Sequence, residues 1–184
     1  MYAIIGLGNP GEKYAHTRHN AGFLAADFLA SAWGFPAFSE ESRFRAFVSA
    51  GLVGETKTIV AKPQTFMNLS GESVRALAEY FKISSENILL LHDDKDFALG
   101  ELRLARGSSS AGHRGVKSVF DHFGTQDIAR IRIGIGVPPE NIPTDAYVLS
   151  RFSPEERETL EDTFPEIQRK VEDFLKSLLM SSPV

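Results

Sequence analysis

Asn9, His19, Asn68 and Asp93 have the side-chain types of a small hydrolytic apparatus. Asn9 follows the apolar run 2–7, Asn68 closes the stretch Gln64-Thr65-Phe66-Met67-Asn68, and Asp93 comes directly after the run 88–92. His19 stands just before an apolar stretch that begins near residue 20. A histidine can take a proton from water near neutral pH, and a carboxylate that accepts its second N–H fixes the tautomer and makes the free nitrogen more basic. Asparagine amides are neutral donors that can meet a developing oxyanion, or position a water, without competing for the proton. The chain has no cysteine and no Gly-x-Ser-x-Gly string, so a water activated by His19 is a simpler nucleophile than a side chain.

These side chains can meet only if the fold brings several strand ends together. Strands are predicted over 2–7, 44–53, 56–61, 88–92, 101–105 and 129–136, the second and third joined as a hairpin at Gly54-Glu55. Helices are predicted over 20–33, from a cap at Ser70 to about residue 82, over 113–123, and near 154–162 and 165–180. The alternation implies an α/β fold: one domain over residues 1–184, with a mixed, largely parallel twisted sheet flanked by helices on both faces. In an open sheet of that kind the carboxyl ends of the strands converge on one crevice. Gly107-Ser108-Ser109-Ser110-Ala111-Gly112 reads as a mobile loop over such a site.

Composition narrows the classes. The chain is 42% hydrophobic and 24% charged, as in ordinary soluble globular proteins, and without cysteine it has no disulfide, iron–sulfur or zinc–thiolate chemistry. No apolar run reaches membrane-spanning length and no secretory leader opens the sequence, so a cytoplasmic protein with no membrane partner is expected. The net charge of −4 is unevenly spread: residues 153–174 carry eight acidic against three basic side chains. Residues 103–132 carry Arg103, Arg106, Arg114, Lys117, Arg130 and Arg132 against only Asp121 and Asp127, a local basic region able to attract phosphates.

Gly6, Gly8 and Gly11 satisfy G-x-G-x-x-G, but no apolar helical stripe opens at Gly11. The acidic residue that should hold a ribose, Asp27, falls inside a helix instead of ending a strand, so dinucleotide binding is set aside. His92-Asp93-Asp94-Lys95-Asp96 offers metal-ligand types, yet neighbours on a strand face opposite sides and Lys95 opposes a cation. No metal or other cofactor is expected, and Asp94 and Asp96 read as a solvated turn.

Longer strings carry a resemblance. Gly6-Leu7-Gly8-Asn9-Pro10-Gly11, Tyr14, Thr17-Arg18-His19-Asn20-Ala21-Gly22, the run from Lys62 to Gly71, His92-Asp93-Asp94, the run from Ser110 to Ser118, and Arg132-Ile133-Gly134-Ile135-Gly136 resemble, in order, the motifs of the bacterial-type peptidyl-tRNA hydrolase family. The resemblance implies a monomeric, metal-independent esterase of translation and ribosome rescue, which frees peptide and tRNA from peptidyl-tRNA. By position it implies His19 as the catalytic base, Asp93 as its orienting partner, and Asn9 and Asn68 as amides for the substrate carbonyl, the terminal ribose or the attacking water. It implies Tyr14, Phe66 and Met67 as walls around the terminal adenosine and peptide, though Phe66 and Met67 equally suit core packing. Lys62, Arg103, Arg106, Arg114 and Lys117 then become contacts to the phosphates of the acceptor arm and the 3′ end. Arg114 departs from the family, which usually has Asn there; a long, charged, donor-only side chain suits a phosphate better than a peptide backbone. That departure keeps open an alternative, a relative of the same fold that binds RNA and turns over weakly.

Overall fold

The short apolar runs become the strands of one seven-stranded sheet in the computed structural model, which describes residues 1–181. The strands are β1 (Tyr2–Gly6), β2 (Ser39–Glu41), β3 (Ala46–Val53), β4 (Thr56–Pro63), β5 (Ile88–Asp94), β6 (Leu102–Ala105) and β7 (Ala129–Gly134). Their order is β2-β3-β4-β1-β5-β7-β6. β4, β1, β5 and β7 are parallel neighbours, and only β3 and β6 run against the rest. The helices are α1 (Ala21–Ala32), α2 (Ser70–Phe81), α3 (Arg114–Phe123), α4 (Thr144–Val148), α5 (Pro154–Glu161) and α6 (Phe164–Ser181).

The central strands read as unbroken apolar runs because both faces of the sheet are covered. On β1, Ile4 packs with α1 and α6 (Leu29, Ile167, Val171), whereas Ile5 faces α2 and α3 (Val74, Leu77, Val119). β5 repeats the alternation, with Leu89 and Leu91 on the first face and Leu90 on the second. Burying each such side chain contributes about 1.5–3 kcal/mol, which makes these two strands the anchor of the sheet.

The chain leaves β1 through α1 on one face and leaves β4, its neighbour, through α2 on the other. A crevice therefore opens at the carboxyl ends of β1 and β4, where the connections diverge. Gly22 makes the close approach there possible: a Cβ on it would sit 2.3 Å from the Leu91 carbonyl oxygen and 2.5 Å from that of Leu7. From the other side, a Cβ on Gly6 would sit 2.4 Å from the Gly22 carbonyl oxygen and one on Gly8 2.6 Å from the Phe23 ring, so the glycine-rich string serves helix-to-strand packing and the turn that presents Asn9.

Several boundaries differ from expectation. Ser70 is the first residue of α2 and caps nothing; its hydroxyl donates backwards to the Met67 carbonyl over 2.9 Å, and Leu69 occupies the cap position. His113 lies one residue outside α3 and is its N-cap, Nδ1 accepting from the Val116 N–H at 3.2 Å. Asp93 and Asp94 belong to β5 itself. β2 and α4 were not anticipated, being too short for periodicity to register.

Candidate active site

β1, β4 and β5 deliver Asn9, Asn68 and Asp93 to the rim of that crevice, and the turn before α1 delivers His19. Together with Phe66, Met67, Arg114, residues 110–113 and α4 they line a cleft of about 450 Å³. The sequence-predicted residues brought together are therefore Asn9, His19, Phe66, Met67, Asn68, Asp93 and Arg114. Tyr14, Lys62, Arg103, Arg106 and Lys117 lie outside the lining.

Asp93 is the hub. Its buried carboxylate takes His19 Nδ1 at 2.9 Å from both oxygens, and His113 Nε2 at 2.9 Å from Oδ1. The His113 tautomer is set from behind: because Nδ1 accepts the Val116 N–H, the proton must sit on Nε2 and point at Asp93. His19 likewise gives its Nδ1 proton to the carboxylate, which leaves Nε2 as a lone pair open to the cleft. Burial alone would raise the Asp93 pKa, but the two imidazoles overcome it and hold the carboxyl well below the usual range. For His19, burial is the largest influence and acts downward; the charge and hydrogen bond of Asp93 prevail, helped by Asp145 and opposed by Arg114, and the pKa ends up raised.

His19, Asp93 and His113 also form a donor set of metal-site type. The Val116 contact argues against that use, since it leaves the His113 nitrogen facing Asp93 with a proton and no lone pair.

Asn9 is fixed on all sides. Its N–H donates to Asn20 Oδ1 at 2.9 Å, its carbonyl accepts from Asn20 Nδ2 at 3.0 Å, and its Oδ1 accepts the Met67 N–H at 2.9 Å. The amide group Nδ2 is the donor that remains for the cleft. The Asn68 side chain is exposed at the rim and makes no hydrogen bond among the described residues. Met67 is buried beneath α3, where a Cβ on Gly115 would stand 2.4 Å from its sulfur, so it packs first and lines second. Phe66 is the opposite case, 54% exposed at the mouth.

The segment carrying His19 is bolted down through the adjacent Arg18. Its guanidinium grips both oxygens of Glu156 at 2.7 Å, donates to the Ile135 carbonyl at 3.0 Å, and lies between the rings of Tyr147 and Phe152. The acidic C-terminal region thus helps to hold the turn that bears the histidine, besides covering one face of the sheet.

The basic region is less bare than its sequence suggests. Arg103 pairs with Glu101, Arg106 with Asp127, Lys117 with Asp121 and Arg114 with Asp145. These pairs are exposed, hence weak, and a phosphate can displace the carboxylate. Lys62 instead pairs with Asp27 over the Phe38 ring, with only 14% of its side chain exposed. Asp94 is no solvated turn: it is buried and accepts from Arg132 Nε at 2.7 Å, while Asp96 is exposed.

His113 and Asp145 are the cleft residues that sequence reasoning missed. His113 looked like a helix residue, and Asp145 sits on the unforeseen α4. Because Arg114 lowers and Asp145 raises the His19 pKa, Arg114→Ala should raise and Asp145→Asn lower the pH at which His19 titrates, as followed by NMR. Both groups are exposed, so both displacements should shrink as salt is raised; a His19 titration unmoved in low salt would remove the pair from the electrostatics of the site.

A sequence model of the family described as peptidyl-tRNA hydrolase matches residues 3–182. A peptidyl-tRNA hydrolase of Exiguobacterium sibiricum is 43% identical over 175 residues, covering 95% of this chain and 94% of that one. One of Gloeobacter violaceus is 48% identical over 158 residues, covering 85% and 79%. The crystal structure of peptidyl-tRNA hydrolase from Acinetobacter baumannii superimposes with a TM-score of 0.90 at 31% identity, covering 97% of this chain and 90% of that one.

Proposed function

The chain belongs to the peptidyl-tRNA hydrolase family, and from that premise we propose that its cleft hydrolyses the ester between a peptide's C-terminus and the terminal ribose of tRNA, with His19 as general base. His19 Nε2 takes a proton from a water, whose oxygen adds to the ester carbonyl carbon. Asp93 stabilises the imidazolium that forms. The oxyanion is met by the Asn9 and Asn68 amides. As the intermediate collapses, the imidazolium returns its proton to the departing ribose oxygen, leaving free peptide and intact tRNA. Phe66 and Met67 form the apolar wall beside the reacting ester, and Tyr14 borders the turn that leads to His19.

The observation that carries this reading is the double hold of Asp93 on His19 and His113, which leaves one bare imidazole nitrogen facing the cleft. Arg103, Arg106, Arg114 and Lys117 bind phosphates of the acceptor arm by giving up their carboxylate partners, and Lys62 does so only by leaving Asp27. The protein acts as a monomer in the cytoplasm; among the described residues no helix is long and apolar enough to cross a membrane.

The test is a turnover assay of the purified protein on N-blocked peptidyl-tRNA, together with tRNA binding across salt. Free peptide and reusable tRNA are expected, with log affinity falling against log salt with a slope of roughly −3 to −4 if Arg103, Arg106, Arg114 and Lys117 engage and Lys62 stays with Asp27. Binding without release would return the weak RNA-binding alternative, and a flat salt response would remove the phosphate contacts.

A further inference from the structure

Arg130 is the one cation of the basic region that is almost wholly buried, and it pairs with no carboxylate among the described residues. Instead its Nη2 donates to three acceptors of the loop over the cleft: the Ser108 carbonyl at 3.1 Å, the Ser108 hydroxyl at 2.7 Å and the Ser109 carbonyl at 3.0 Å. Its Nη1 lies 3.3 Å from His92 Nε2, while Nε is buried without a partner. His92 is buried too, and its Nδ1 donates to the Asp93 carbonyl at 2.8 Å, so its Nε2 is an acceptor for the guanidinium. Burial first, then His113 and Arg130, keep that imidazole neutral. A buried guanidinium is costly to place against neutral acceptors alone, and here its fork spans two elements that both end at the hydrolytic centre.

Both routes lead to His113. The strapped loop continues through the turn in which the His113 N–H donates to the Ser110 carbonyl at 2.9 Å. The His92 ring meets the His113 ring edge-on, with centroids 4.7 Å apart.

We propose that Arg130 is a positioning residue: it straps the 107–112 loop and props His92, and so holds His113 Nε2 against Asp93. The loop read from the sequence as mobile is then tethered from beneath. This rests on the assignment of His19, Asp93 and His113 to one centre. His113 shares the Asp93 carboxylate with His19, so a strap that slackens lets Asp93 concentrate on His19 and strengthens its imidazolium form. The charged groups facing His19 are Asp93 on β5, Arg114 at the start of α3 and Asp145 on α4, with the His113 ring beside them; none of them is changed by a substitution at position 130.

The test compares Arg130→Lys, which keeps the charge and loses the fork, with His113→Ala and with the double variant. Arg130→Lys should lower kcat by about 10- to 100-fold, more than it raises KM. It should also move the acid limb to higher pH, as His113→Ala does, and the double variant should move no further than His113→Ala. If Arg130→Lys does not fold, Ser108→Ala on the exposed loop should give a smaller shift in the same direction. A lowered melting temperature with an unmoved limb, or additive shifts in the double variant, would overturn the strap. If His113→Ala itself leaves the limb in place, the shared centre falls and the strap with it.

Discussion

Asp93→Asn is expected to lower kcat by about 10³- to 10⁴-fold with little change in tRNA binding; an orienting aspartate changed in this way costs about 10⁴ in a Ser-His-Asp triad. Two imidazole N–H groups converge on the Asp93 carboxylate, His113 Nε2 on Oδ1 and His19 Nδ1 on both oxygens. An amide puts an NH2 in place of one oxygen; with its oxygen kept at the Oδ1 position for His113, the NH2 stands 2.9 Å from His19 Nδ1, so His19 is the ring that meets a donor. His113 cannot yield, because the Val116 N–H requires a bare Nδ1. His19 yields: it accepts from the amide at Nδ1, carries its proton on Nε2, and ceases to be a base. Any residual activity should show its acid limb at lower pH, since the charge that raised the His19 pKa is gone. The measurement is a pH profile of single-turnover rates beside tRNA affinity. A loss below tenfold would show that the carboxylate does not set the tautomer.

His19→Ala should reduce kcat by about 10²- to 10⁴-fold, the range of a lost general base, and leave KM for peptidyl-tRNA within a few-fold. Folding should survive, because His113 still satisfies Asp93 and the neighbouring Arg18 still anchors the turn to Glu156. Thermal denaturation and tRNA binding are the controls. The residual rate should lose its acid limb, because no titrating base remains. A variant that stays fully active in a clean preparation would require another nucleophile or base.

The sheet was legible because its strands are buried on both faces: runs such as Ile88 to His92 admit few other readings. Elements with little burial were not, as with β2 and the five residues of α4. That Asn9, His19, Asn68 and Asp93 share one cleft was legible from residue type where strands end or loops begin, since each lies close to an element boundary. What stayed hidden was whatever depends on partners distant in sequence. Asp94 looked like a turn residue because its partner Arg132 lies on another strand. His113 looked helical because its role as a cap and its distance from Asp93 are facts of three dimensions. Arg130 counted as surface charge, whereas its face of β7 is covered by the Phe120 ring and the Ser108 and Ser109 backbone. Basic residues in sequence therefore overstated the free positive surface.

The tautomers of the two histidines carry the central claim, and nitrogen NMR of imidazole-labelled protein observes them directly, with His19→Ala and His113→Ala supplying the assignments. Above the acid limb, His19 should appear as the Nδ1–H form with a bare Nε2, and His113 as the Nε2–H form with a bare Nδ1. A His19 found protonated on Nε2 would place no base in the cleft and would contradict the account.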